Sequence, residues 1–178
     1  MVDVIKKILE GNTELYREVV SEYYEQIFYF VKKQIINYDD SLDITQEIFI
    51  KIYDNLKKYD ETKASFKTWI YTIASNYCYD FFRSKAYKNE LITDELEDEI
   101  PVYKDILGDL VNEETIDKIQ SIMRNKFKKK HQVVMQLYYF GGLEVNEISE
   151  SCGIPTKTIY SILKGSIKKI QLELEESV

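Results

Sequence analysis

The chain has 178 residues, 44% of them hydrophobic and 31% charged, with two cysteines, one histidine and a formal net charge of −7. That length holds one ordinary domain or two small ones, and no apolar run approaches the roughly 20 residues needed to span a bilayer. Cys78 and Cys152 are single and far apart in apolar helical patterns, which excludes a disulfide framework and a cysteine metal cluster. The amino terminus, MVDVIKKILEGN, is amphipathic and lacks the apolar core and cleavage site of a secretory signal, so a cytoplasmic protein with no membrane contact of its own is expected.

An acidic chain argues against nucleic acid as a partner, but the distribution of charge reverses the argument. Acidic against basic residues number 14 against 11 in residues 1–83, 10 against 3 in 84–116, and 7 against 10 in 117–178. The acid sits in the middle, and the last third is net basic.

Residues 1–38 read as helix throughout, with an apolar stripe from Leu15 to Val31 and Asn12 or Thr13 as its cap. Tyr38 to Ser41 reads as a turn, after which Ser41 caps a helix carrying Ile44, Ile48, Phe49, Ile52, Tyr53 and Leu56 inward and Asp43, Gln46, Glu47 and Lys51 outward. A polar loop, Lys57 to Ala64, precedes a third helix. There Phe66, Trp69, Ile70, Ile73, Ala74, Tyr77 and Phe81 recur at the three-then-four spacing of a buried stripe. Tyr71, Thr72, Ser75, Asn76, Tyr79 and Arg83 share the other side. Rings, amides and hydroxyls beside one cation suit unstacked bases, and the same face also reads as plain solvated surface.

From Ser84 the pattern changes to a carboxylate-rich run at residues 90–99, then Pro101 and a short amphipathic stretch around Tyr103 to Val111, which together read as a linker. Helices resume with Ile116 to Phe127 and Val133 to Phe140, the latter ending at Gly141 and Gly142. Leu143 to Cys152 then forms a short helix, Gly153 a left-handed turn, and Thr156 caps a final helix burying Ile159, Ile162, Leu163, Ile167 and Ile170. A short helix, a glycine turn and a longer capped helix make a helix-turn-helix, a shape also found in proteins that never touch DNA. Its second helix shows Lys157, Tyr160, Ser161, Lys164 and Lys168 outward and holds no Arg between Thr156 and Ile170, so the Arg fork onto guanine is missing.

With these elements in order, the chain resembles the extracytoplasmic-function subgroup of the sigma-70 family. DITQEIF at residues 43–49 and FKTWIYTIASN at 66–76 resemble the best-marked motifs of the family's region 2, and GGLEVNEISESCGI at 141–154 resembles region 4 around its helix-turn-helix. The resemblance implies an all-α fold of two small helical domains. Residues 1–83 would form a region 2 module of three to four helices, 84–114 an acidic linker, and 115–178 the region 4 module. It implies promoter-specific initiation with core RNA polymerase and promoter DNA as partners, contacts to the β′ clamp helices and β flap, control by an anti-sigma factor, and neither catalysis, cofactor nor metal.

Residue by residue, the resemblance assigns Asp43, Gln46, Glu47 and Phe49 to core polymerase. It assigns Tyr59, Lys63, Trp69, Tyr71, Thr72, Ser75, Asn76, Tyr79 and Arg83 to an unstacked minus-10 element, and Thr156, Lys157, Thr158, Tyr160, Ser161, Lys164 and Lys168 to the duplex minus-35 element. The faces around Ile44 to Tyr53 and Val133 to Tyr139 are expected to meet the anti-sigma factor. The chain departs from the family pattern where Tyr160, Lys164 and Gly165 stand in place of basic or bulky residues. Two other readings remain: a stand-alone helix-turn-helix regulator and a protein-only all-α adaptor. His131, flanked by Lys128, Lys129 and Lys130, belongs to no triad, and no phosphate-cradling glycine loop occurs.

Overall fold

The computed structural model describes residues 1–35, 37–83 and 113–176, with side chains from residue 118 onward in the last stretch. The acidic run, the stretch around Tyr103 to Val111 and the expected linker up to residue 112 lie outside the described residues, as does the side chain of Ile116; residues 113 and 114, assigned to the linker, open a helix instead. Among the described residues there are eight α-helices and no strand. They are α1 (Val2–Leu9), α2 (Tyr16–Lys32), α3 (Tyr38–Asn55), α4 (Phe66–Arg83), α5 (Glu113–Lys126), α6 (Lys129–Met135), α7 (Val145–Cys152) and α8 (Thr156–Glu175).

Helix over residues 1–38 is broken twice. Gly11 adopts φ +112, a conformation that a side chain resists, and the chain turns there before re-entering helix through Thr13–Leu15. The second break separates α2 from α3. The cap of α3 is Asn37, whose side-chain oxygen accepts from the Asp40 amide at 2.9 Å, so the expected turn at 38–41 is the first turn of the helix. Ser41 is buried inside that helix and donates to the carbonyls of Ile35 (2.9 Å) and Asn37 (2.8 Å). Its hydroxyl satisfies the backbone of the preceding bend instead of capping.

α2, α3 and α4 bury Ile27, Phe30, Val31, Ile44, Ile48, Ile52, Ile70, Ala74 and Cys78, and α1 closes one end with Ile5 and Ile8. In the carboxy-terminal half, α6 runs into a π-helical turn over Gln136–Phe140 and stops at Gly141. There α5 to α8 bury Ile119, Val134, Leu137, Leu143, Ile148, Ile159, Leu163 and Ile170. Glu144 and Glu147 form a reciprocal capping box on α7, and Gly153 ends it at φ +64. Pro155, not Thr156, precedes α8; its carbonyl accepts from the amides of Thr158 (2.8 Å) and Ile159 (3.1 Å). On α8 the fully covered stripe takes Ser166, and Ile167 is only half-buried.

The two halves pack on each other across α4. One side of α4 meets α2 and α3, as its apolar spacing predicts, and the other meets α6, the π turn and α7.

Candidate nucleic-acid interface

α4 begins with Ser65, whose Oγ accepts from the Thr68 amide at 3.2 Å and so fixes where the helix starts. That start carries Phe66 and Trp69 beside Tyr59, which lies near the beginning of the preceding loop. The Tyr59 and Trp69 ring centres lie 5.4 Å apart, Phe66 and Trp69 5.6 Å, and Tyr59 and Phe66 5.2 Å. Phe66 is buried while Tyr59 and Trp69 are half-exposed, which makes a ledge of two accessible rings on a fixed third. Burial, reinforced by Glu61 and Asp60, raises the Tyr59 pKa, so its hydroxyl stays a neutral donor. Lys63 is exposed near the ledge and paired with Asp60 at 2.9 Å.

The rest of the proposed base-contacting face is placed differently from a solvated surface. Tyr71, Ser75 and Tyr79 are buried under the carboxy-terminal half. Ser75 Oγ donates to Gln136 Oε1 at 2.6 Å, Thr68 Oγ1 lies 3.3 Å from Glu147 Oε1, and Lys129 pairs with Asp80 at 3.1 Å while sitting 4.7 Å from the Tyr79 ring centre. Tyr71 packs edge-on against Phe30 at 5.2 Å and approaches Gly141 so closely that a Cβ there would meet its ring at 3.0 Å. Gln34, Gln120, Gln132 and Gln136 line a small pocket in this seam. Thr72 and Asn76 remain half-buried at its edge; Asn76 donates to the Thr72 carbonyl at 2.8 Å, and the Thr72 hydroxyl donates to the Thr68 carbonyl at 2.9 Å. Arg83 is exposed and donates to the Tyr79 hydroxyl at 2.9 Å.

On α3, Asp43, Gln46 and Glu47 are exposed on one face. Phe49 is 5% exposed and stacks on Tyr24 at 5.8 Å, so it holds α3 to α2 from inside and reaches no partner in this arrangement. Ile50 and Tyr53, 55% and 40% exposed, occupy the surface beside the three polar residues. The sequence signal for Ile50 was its place outside the inward three-and-four rhythm, which leaves an apolar side chain facing water.

α8 presents Lys157, Tyr160, Ser161, Lys164 and Lys168 to solvent, with Tyr160 63% exposed, while Thr156 and Thr158 are half-buried at its first turn. None of these lysines makes an ion pair among the described residues, so all three charges remain available for phosphates. Thus Tyr59, Lys63 and Trp69 cluster at the head of α4, the second group lies along an outer edge of α8, and the remaining α4 candidates lie in the seam.

Among the described residues no helix is long and apolar enough to cross a membrane, and no cluster of His, Cys, Asp or Glu has metal-holding geometry. Residues 19–87 match the family model described as Sigma-70 region 2. The chain is 27% identical to the ECF RNA polymerase sigma factor SigW of Bacillus subtilis, over 97% of this chain and 95% of that protein. It is also 27% identical to the RNA polymerase sigma factor YlaC of the same organism, over 93% and 90%. Among solved structures it resembles CnrH, determined in complex with the cytosolic domain of CnrY, with a TM-score of 0.60 at 16% identity over 98% of this chain and 97% of that one.

Proposed function

The chain belongs to the sigma-70 family, in its extracytoplasmic-function subgroup, and from that premise we propose that it directs core RNA polymerase to promoters by reading two DNA elements with different chemistry. The observation that carries the reading is the presence on one chain of an aromatic ledge at the head of α4 and a helix-turn-helix whose second helix bears unpaired lysines. Tyr59 and Trp69 offer stacking surfaces to extruded minus-10 bases, a contact worth about 1 to 3 kcal/mol per base. Asn76, Thr72 and Arg83 extend that site along α4. Thr156 to Lys168 lies on the minus-35 duplex, with Lys157, Lys164 and Lys168 on phosphates and Tyr160 and Ser161 near base edges.

Asp43, Gln46 and Glu47, with Ile50 and Tyr53 beside them, make a surface of acid, amide and exposed apolar area suited to a basic helical partner such as the polymerase clamp. Because Tyr71, Ser75 and Tyr79 are covered by the carboxy-terminal half, the arrangement described is a closed one. Full engagement of the minus-10 element requires the halves to part, and core polymerase supplies the differential binding that drives it. An anti-sigma factor fits the same logic: the α3 face and exposed Tyr138 are surfaces on which an inhibitor would hold the chain closed. Residues 1–83 act as the polymerase- and minus-10-binding unit and residues 115–178 as the minus-35 unit.

Run-off transcription with core polymerase and the purified chain tests the reading. Start-site selection that appears only when both are present is expected. Sequence-specific DNA binding without polymerase would instead favour a stand-alone regulator, and no effect in either assay an adaptor that binds protein alone.

A further inference from the structure

Beside the outward face of α8 lies a groove of about 540 Å³, most of whose lining the functional reading does not use. Its α8 wall is Thr158, Ser161, Gly165 and Lys169, and its opposite wall is the corner between α5 and α6, carrying Lys126, Lys128, Lys130 and His131. Thr158 and Ser161 belong both to this groove and to the proposed duplex-docking surface, so the two are continuous.

The charge on the opposite wall is placed where a helix resists it. Lys128 precedes α6 and Lys129 and Lys130 open it, with no acidic residue in that first turn, so three ammonium groups crowd the positive end of the helix dipole. Lys129 is answered by Asp80 and Lys126 by Glu173, at 3.1 Å each. Lys128 and Lys130 make no ion pair among the described residues. His131 registers the resulting potential: burial, and then Lys128, Lys130 and Lys169, push its pKa down. Ser166 also lines the groove, 1% exposed, and its Oγ has no hydrogen-bond partner among the described residues. Gly165 adds no bulk; even a Cβ at that position would touch nothing within 4 Å.

We infer that this groove is a second phosphate-binding surface, taking the sugar-phosphate backbone of the same duplex whose major groove α8 enters. The duplex follows from the continuity of the two surfaces through Thr158 and Ser161 and from Lys128 and Lys130 in the lining, whose charges no carboxylate answers among the described residues. It also meets the deficit noted on α8, where no Arg is present to fork onto a base: affinity is drawn from phosphates flanking the helix, and readout depends more on the shape of the element. The assignment rests on the duplex-docking role proposed above for α8.

The test is the salt dependence of promoter binding by the full chain assembled with core polymerase, wild type against K128Q/K130Q. Each lost phosphate contact lowers the slope of log K against log salt by about 0.9, so the double variant is expected to be shallower by about 1.8, with unchanged preference among minus-35 sequences. K128R/K130R restores the slope. An unchanged slope in K128Q/K130Q, with the wild type selecting promoters normally, overturns the groove assignment and leaves the sigma-factor reading intact. An unchanged slope with weakened assembly onto polymerase likewise overturns it, giving the groove to an acidic protein surface. Failure of the wild-type assembly to select any promoter removes the functional reading, and the assignment with it.

Discussion

Ser75 on α4 donates its hydroxyl to Gln136 of the carboxy-terminal half across 2.6 Å, and both side chains are shielded from solvent. The bond ties the middle of the proposed base-contacting helix to the half of the chain expected to read a different DNA element. Ser75→Ala leaves the Gln136 carbonyl buried without its donor, a penalty of about 1 to 3 kcal/mol on the closed arrangement. Ser75→Leu adds bulk at a site with no room and opens the seam further. Cys152 ends α7, which packs on α4 across the same seam, and is half-buried, whereas Cys78 is fully buried within the amino-terminal half. Alkylation of Cys152 is expected to quicken in the order wild type, Ser75→Ala, Ser75→Leu, with Cys78 protected in all three. Equal Cys152 rates would show that this bond does not hold the halves together.

The aromatic ledge yields the sharpest functional test. Tyr59→Phe keeps the ring and is expected to open promoters nearly as wild type, whereas Tyr59→Ala and Trp69→Ala each lose about 1 to 3 kcal/mol of stacking, roughly a 5- to 150-fold loss of open complex. Permanganate reactivity of the minus-10 thymines measures it. Loss of melting in Tyr59→Phe equal to that in Tyr59→Ala would place the function in the hydroxyl instead.

The stripe that α4 presents to α2 and α3 was legible because Phe66, Ile70 and Ala74 repeat with helical spacing, a purely local pattern. Burial of Tyr71, Ser75 and Tyr79 was not, because hydroxyls and tyrosine rings are equally at home in water and in a hydrogen-bonded seam. What covers them lies fifty or more residues on, in Lys129, Gln136 and Gly141, and nothing local announces it. The nearest signal was Ser75 itself, a small residue between two rings one turn away on either side. The break before α3 was misread for a simpler reason: Asn37 and Ser41 are both good caps, and only the tertiary bend decides which amide is exposed. The helix-turn-helix was legible because Gly153 marks a left-handed residue between two apolar repeats; the structure differs in starting α7 at Val145, in letting Pro155 stand before α8, and in covering Ser166 more fully than Ile167.

The cap of α3 is a second check on the fold. Asn37→Ala is expected to cost about 1 kcal/mol in urea unfolding, and Asn37→Asp much less, since a carboxylate also accepts from the Asp40 amide. Equal losses in the two variants would indicate that Asn37 acts through its amide hydrogens.

Stability at alkaline pH follows from groups that fold holds protonated. Burial raises the pKa of Tyr16, Tyr71 and Cys78, pushing the Cys78 thiol to about 12, and burial with Glu22 takes Tyr23 from 10.0 to about 12. In each case the unfolded chain gives up its proton first, so the stabilisation is complete below the unfolded value and fades as pH climbs through the folded one. Urea midpoints are therefore expected to fall steeply between about pH 10 and 12. Tyr23→Phe flattens part of that fall. A midpoint level across the range would contradict these burials.

The pocket between the halves sets four carboxamides, Gln34, Gln120, Gln132 and Gln136, beside Phe82, Met123 and Phe140. Phe82, Met123 and Phe140 share that lining, so parting the halves bares aromatic and thioether surface as well as carboxamides, and that apolar share favours the closed arrangement. The parting of the halves proposed above therefore calls for a partner surface to cover that area again at once, which couples opening to assembly.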